Sequence, residues 1–238
     1  MASTPFSSLD DYIALPRVEG LALSPDGTRV VLTVATLKKD ATGYERALWA
    51  VPADGSGAPV RLTRSAKGES GASFTASGDV LFVSARPDVE GDADDESGQL
   101  WLLPAAGGEA SEITRLAGGV GGVAATAEAS DRVVIAAELL PGADTLEAEA
   151  ALRARRKEKK VSAILHETYP VRYWDHDLGP AEPHLLALDL GGLADALPVR
   201  GAAAASSEVD AAATAATASG VDDKAPAPYA PELPRPRD

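Results

Sequence analysis

Apolar and polar residues alternate in three similar stretches of this chain, at residues 21–34, 72–85 and 123–136. Each stretch contains an apolar run, a short polar turn and a second apolar run, a pattern typical of paired, half-buried β-strands. The first turn is Ser24-Pro25-Asp26-Gly27, which aligns with Thr75-Ala76-Ser77-Gly78 and more loosely with residues 127–130. Because Pro25 fixes φ and Gly27 accepts φ > 0, this turn, with Asp26 at its centre, predicts a tight hairpin.

Further apolar runs follow each hairpin. A third strand is predicted at residues 48–52, 100–104 and 185–189, and a fourth at 61–63 and 112–114. The unit recurs about every 50 residues, and four short strands at that spacing form one blade of a β-propeller. The sequence therefore predicts an all-β fold, a partial β-propeller of about three blades with four antiparallel strands each.

The pattern divides the chain into three parts. Residues 1–17 predict a helical lead-in that ends at Pro16. Residues 18–197 predict the partial propeller, with blades near 18–66, 67–117 and 118–197. Residues 198–238 are rich in Ala and Pro and poor in large apolar side chains, which predicts a disordered tail.

The third blade is interrupted by an insertion at residues 141–183. Residues 147–160 carry acidic side chains first and basic ones last, which complements the dipole of a surface helix. Residues 161–165 are consistent with a strand or with a continuation of that helix, and residues 169–177 predict an aromatic, partly buried connection.

Three blades do not close a propeller, which needs at least four. The end blades would keep uncovered faces and unpaired strand edges. Two explanations follow. The chain is a fragment of a longer protein whose repeat is interrupted near residue 200, or it is a binding module that completes its ring by self-association through the open blade edges.

Composition narrows the class of protein. A net charge of −14 and a pI near 4.6 disfavour binding to nucleic acid or to an anionic membrane. The chain has no cysteine, which excludes disulfides and thiolate metal sites. Without a basic and apolar leader or a long apolar run, the expected location is cytoplasmic, and the excess of Arg over Lys with abundant Ala is compatible with a GC-rich bacterial genome.

Candidate metal sites are weak in this sequence. His166, His176 and His184 lie in or near the insertion, and His176 stands between two aspartates, as a metal ligand or an oriented base would. A structural role is favoured, because no further His or Cys lies at ligand spacing. The acidic loop at residues 88–96 could bind Ca²⁺, but a solvated hairpin tip is the simpler interpretation. No metal site and no cofactor are expected.

For several aromatic and basic residues, both a functional and a purely structural role are consistent with the sequence. Trp49 and Trp101 occupy equivalent places in successive blades, which favours packing between blades over ligand stacking. The basic run 153–160 could dock an acidic partner, although the solvated face of a helix explains it more simply.

Two segments resemble serine peptidases of the prolyl oligopeptidase family, within which the acylaminoacyl-peptidase-like and dipeptidyl-peptidase-like bacterial branch looks nearest. The first is LDDYIALPR at residues 9–17, which runs into LALSPDG at 21–27. The second, more specific segment is KVSAILHETYPVRYWDHD at residues 160–177, which is similar to the third-blade insertion of those proteins. The resemblance covers residues 5–190.

The resemblance implies an N-terminal propeller that admits only short peptides to a C-terminal α/β-hydrolase domain with a Ser-Asp-His triad. This chain contains no Gly-x-Ser-x-Gly motif, so no catalytic residue is assigned and hydrolysis is expected only of the full-length relative. Tyr169, Arg172 and Tyr173 are the candidates for substrate contact, since an Arg between aromatic residues can bind a peptide carboxylate or carbonyl. Packing within the fold is the alternative role for these three residues.

Overall fold

The computed structural model describes residues 4, 6–87, 97–166 and 169–191, which belong to one compact unit, Met1–Ala205. The acidic loop at 88–96 and the tail at 198–238 therefore lie outside the described residues.

The lead-in helix is shorter than the sequence predicts. Helix α1 spans Leu9–Ile13 and begins where the Ser8 side chain accepts a hydrogen bond from the Asp11 backbone N–H. The chain has already left the helix at Ala14, and the first strand begins at Arg17. The Tyr44 hydroxyl donates a hydrogen bond to the Ile13 carbonyl over 2.8 Å, and this bond holds the end of α1 against the sheet.

Antiparallel sheets follow in chain order. Blade 1 consists of β1 Arg17–Leu23, β2 Arg29–Leu37, β3 Tyr44–Pro52 and β4 Val60–Arg61. Blade 2 consists of β5 Ser70–Phe74, β6 Val80–Ser84, β7 Gln99–Leu103 and β8 Ser111–Glu112. In both blades the strands lie side by side in sequence order, as the four-strand repeat predicts.

Blade 3 has three strands among the described residues. These are β9 Gly122–Thr126, β10 Arg132–Leu139 and, after the insertion, β13 Glu182–Asp189. The insertion contains helix α2 at Leu146–Glu158 and a small hairpin of β11 Arg172–Tyr173 and β12 His176–Asp177. The predicted all-β partial propeller with one helical insertion is confirmed. Residues 161–165 form neither the strand nor the helical continuation that the sequence favours. Within the described chain, neither helix is long and apolar enough to cross a membrane.

The first turn shows how local chemistry shapes these hairpins. The Asp26 carboxylate accepts from the Ser24 hydroxyl over 2.6 Å and from the Thr28 backbone N–H over 3.0 Å. These hydrogen bonds lower the pKa of Asp26 to about 2. The bond from the Ser24 hydroxyl has the largest effect, and those from the Thr28 N–H and hydroxyl follow. Gly27 has φ of +72°, a conformation that Gly adopts without a Cβ penalty.

Two apolar clusters lie between the blades. The first joins blades 1 and 2, and its fully buried members include Val31, Leu48 and Phe82. The second joins blades 2 and 3 through residues such as Leu100 and Ile135. Among the described residues, the middle blade is thus covered on both faces, whereas each end blade is covered on one.

The two equivalent tryptophans differ for this reason. Trp101 is buried in the cluster between blades 1 and 2. Trp49 follows Leu48 in β3, and because successive side chains of a strand point to opposite faces, Trp49 lies on the face of blade 1 that points away from blade 2. It is half-buried there, and no blade among the described residues covers it.

Candidate functional site

The insertion projects from one edge of the blades, which we call the insertion rim and define by the ends of β2, β6 and β10. The connections that leave these three strands are equivalent, since each links the second strand of a blade to the third. In blade 1 this connection is a short hairpin loop, and in blade 3 it is the whole of residues 140–181. Any function carried by the insertion therefore belongs to this rim.

An ion pair between the buried Glu149 and the partly exposed Arg153 fixes helix α2 on the rim. Thr145 caps the helix by accepting from the Ala148 N–H over 3.2 Å, and Glu149 turns inward and is buried. Arg153, one turn later, pairs with Glu149 and also donates to the Glu138 carbonyl of β10 over 2.7 Å. The sequence predicts the basic run to be a solvated helix face, but this arginine instead connects α2 to blade 3.

The small hairpin beyond α2 carries the predicted substrate-contact residues. Arg172 and Tyr173 form β11, and Tyr169 lies just before it. The Arg172 guanidinium donates to the Asp175 carbonyl over 3.1 Å and lies 3.7 Å from the Asp177 carboxylate. Across the hairpin, the Tyr173 and His176 rings are 6.2 Å apart in an edge-to-face arrangement. The structure thus places Arg172 and Tyr173 on one strand and Tyr169 three residues before it.

This segment is exposed, which corrects the prediction of a partly buried connection. Tyr169 is 90% exposed and Trp174, at the tip of the hairpin, is 86% exposed. Trp174 also has φ of +55°, a left-handed conformation that costs a non-Gly residue free energy and that often marks functional sites. Sequence reasoning does not single out Trp174. The signal that could have found it is its position in the two-residue loop that connects the paired strands β11 and β12.

The histidines do not form a metal site with the groups described. His176 Nδ1 lies 3.2 Å from the Asp175 carboxylate, and both side chains face solvent. His166 and His184 are also exposed. Within residues 4–191, as far as they are described, no three His, Cys, Asp or Glu side chains are grouped to hold an ion.

The rim also contains a cleft of about 240 Å³ between blades 1 and 2. Glu69 lines it, and this side chain is only 1% exposed. One carboxylate oxygen accepts from the Ser65 N–H over 2.9 Å, and the other has no hydrogen-bond partner among the described residues. Burial raises the pKa of Glu69 above its usual 4.5, which favours the neutral acid.

Comparison of the blades gives Glu69 a structural role. In blade 2, Leu116 occupies the place of Ser65, and its N–H is bound over 3.0 Å by the side-chain carbonyl of Gln99. The equivalent of Gln99 in blade 1 is Ala47, whose side chain has no hydrogen-bond acceptor. The Glu69 carboxylate instead accepts the hydrogen bond from the Ser65 N–H. The burial of Glu69 in the cleft is therefore explained by its structural hydrogen bond, and the exposed hairpin is the better candidate site.

Comparisons with known proteins point to the fold. No protein-family model matches the chain, and no curated protein matches it. Among solved structures, the chain is similar to Pyrococcus horikoshii acylaminoacyl peptidase in its orthorhombic crystal form, with a TM-score of 0.51 and 10% identity. The match covers 76% of this chain and 24% of that protein. The likeness is one of fold alone.

Two other solved structures have TM-scores below 0.5. The uncomplexed form of the Pyrococcus horikoshii acylaminoacyl peptidase has a TM-score of 0.49 at 10% identity, over 74% of this chain and 23% of that one. The apo AtxE2 isopeptidase has a TM-score of 0.47 at 15% identity, over 79% and 30% respectively. This chain thus spans about a quarter of the length of the acylaminoacyl peptidase that it resembles.

Proposed function

We propose that this chain is the propeller portion of a serine peptidase of the prolyl oligopeptidase family and that it controls which peptides reach a hydrolase domain. The observation that carries the proposal is the third-blade insertion, whose residues 160–177 resemble that family and which lies on one rim of a partial propeller. The likeness in fold to an acylaminoacyl peptidase supports it independently. Hydrolysis belongs, in this proposal, to a separate α/β-hydrolase domain.

The exposed hairpin is the proposed contact with substrate. Arg172 forms a solvent-exposed ion pair with Asp177 in addition to its hydrogen bond to the Asp175 carbonyl, and such exposed pairs contribute about 0–1 kcal/mol. A peptide carboxylate can therefore replace Asp177 at little cost and can bind the guanidinium through two hydrogen bonds. Tyr173 and Trp174 offer exposed aromatic surface beside it for the side chains of a short peptide.

Peptide binding tests this role directly. We expect a fluorescently labelled mixture of short peptides with free C-termini to bind the chain, as measured by fluorescence anisotropy. Arg172→Ala should weaken this binding, and Arg155→Ala is the matched control because it removes the same charge from the exposed face of α2.

Chemistry at the peptide end provides the second control. Amidation of the peptide C-terminus should weaken binding to the unmodified chain but not to Arg172→Ala, since the carboxylate and the guanidinium act together. Equal loss in Arg172→Ala and Arg155→Ala would contradict a role for the hairpin. Since the chain lacks Gly-x-Ser-x-Gly, it should also remain unlabelled by a serine-directed fluorophosphonate.

A further inference from the structure

One leucine position, occupied in all three blades, is buried in blades 1 and 2 and exposed in blade 3. Leu48, Leu100 and Leu185 have the same register position in β3, β7 and β13. Leu48 and Leu100 are fully buried because the next blade packs on them, whereas Leu185 is 69% exposed. Blade 3 therefore presents the same kind of surface that is buried in blades 1 and 2.

We call this surface the tail face and define it as the side of blade 3 that points away from blade 2, with Val134, Ala136, Leu185 and Ala187. The opposite end has a head face, the side of blade 1 that points away from blade 2, with Leu23, Val30, Leu32, Trp49 and Val51. The register matches these five head-face residues to members of the first apolar cluster in blade 2, namely Phe74, Val80, Phe82, Trp101 and Leu103. The head face is thus built like a face that packs on another blade.

Side-chain size matches the two faces to each other. Where blades 1 and 2 meet, the aromatic face of blade 2 packs on smaller side chains of blade 1, such as Ala22 and Val31. The tail face is also made of small side chains around one leucine, and the head face carries Trp49. Pairing the tail face with the head face repeats the complementarity of the first interface, which close packing requires.

A recurring arginine adds a polar match. Arg29 of blade 1 donates to the Gly78 carbonyl in the turn of blade 2 over 3.0 Å. Arg132 has the equivalent place in blade 3, because its carbonyl closes the hairpin turn as the carbonyl of Arg29 does. The side chain of Arg132 is exposed beside the tail face. The equivalent of Gly78 at the head end is Gly27, so a blade 1 packed on the tail face would place the Gly27 carbonyl within reach of Arg132.

From these matches we infer that two copies of this chain bind head to tail, each tail face against the head face of the other copy. The described residues of two copies supply six blades, which lies within the range of four to eight that closes a propeller, whereas those of three copies would exceed it. The interaction uses the broad blade faces rather than the strand edges that the sequence suggests. It does not depend on the proposed peptidase function.

Sedimentation equilibrium of the full chain tests the assembly. We expect a mass twice the 24.3 kDa of one chain. Leu185→Asp at the tail face and Leu23→Asp at the head face should each return the mass to that of a single chain. Leu165→Asp is the matched control, because Leu165 is also an exposed leucine but lies in the insertion, and it should leave the dimer intact.

Two further measurements fix the direction of the contact. An equal mixture of Leu185→Asp and Leu23→Asp retains one intact tail-to-head pair and should recover dimers that neither variant forms alone. Arg132→Ala, which alters only an exposed side chain, should raise the dimer dissociation constant about tenfold. A wild-type mass of one chain, a ladder of species larger than two chains, or a dimer that survives Leu185→Asp would overturn the inference.

Discussion

Substitution of Leu48 by alanine measures how strongly neighbouring blades stabilise each other. Leu48 is fully buried in the cluster between blades 1 and 2, where it packs with Phe82 and Trp101. Removal of a buried leucine side chain costs about 2–5 kcal/mol, because transfer free energy is lost and a cavity remains. A small domain is stable by only about 5–15 kcal/mol, so we expect a large fall in the urea midpoint.

Leu185→Ala is the matched control for this change. It makes the same substitution at the same register position of blade 3, where the side chain is already mostly in water. We expect a cost within about 0.5 kcal/mol, as for ordinary surface substitutions. Both variants are compared in the Leu23→Asp background, so that self-association does not contribute to the measured stability.

The assay is urea unfolding followed by tryptophan fluorescence, since Trp101 lies in the same cluster as Leu48. Equal costs for Leu48→Ala and Leu185→Ala would refute the reasoning, because packing between blades would then contribute nothing at this position. A reduced slope with denaturant in Leu48→Ala would indicate instead that blade 1 separates from blade 2 before the rest unfolds.

Three further substitutions test local features of the fold. Gly118→Ala would place a Cβ 2.8 Å from the backbone carbonyl oxygen of Glu138, as well as 2.5 Å from the Arg153 guanidinium, so we expect a loss of about 1–3 kcal/mol in urea unfolding. Gly43→Ala has open space and should be nearly neutral. Burial raises the pKa of Glu69 above 4.5, so the wild type should lose stability as the pH rises past 4.5, and thermal unfolding of Glu69→Gln should lack that loss. The pKa of Asp26 falls from 3.8 to about 2 in the folded state, so the stability it confers should be lost as the pH falls through that window, and Asp26→Asn should show a flatter acid limb in thermal unfolding.

The strands and their grouping are predictable because both depend on local pattern. Alternation fixes which side chains face a neighbouring blade, and turn residues such as those around Asp26 fix where strands end. The length of β3 is not predictable in the same way. Residues 38–46 have the composition of a polar loop, yet β2 and β3 stay paired as far as Leu37 with Tyr44. The hydroxyl of Tyr44 binds the end of α1, a contact between distant residues that no local pattern shows.

The composition of the candidate site points to its residues, but the sequence predicts the wrong burial for them. Aromatic residues usually bury most of their surface, which is why the segment around Tyr173 resembles a packed connection in sequence. The insertion instead projects from the rim, and its hairpin enters neither of the two apolar clusters of the described residues. The positions of Glu69 and Arg153 are also not predictable from local sequence. Each side chain binds a backbone group, the Ser65 N–H or the Glu138 carbonyl, that the fold leaves without another partner among the described residues.

The DNA that follows this coding sequence tests the proposed peptidase most directly. Sequencing it and translating the three forward frames should reveal further blades with turns like Ser24-Pro25-Asp26-Gly27, followed by a Gly-x-Ser-x-Gly motif between a predicted strand and helix. That result is the one the proposed function requires. The absence of both features from every frame would contradict it, and the self-association of the chain would then become the leading account of its function.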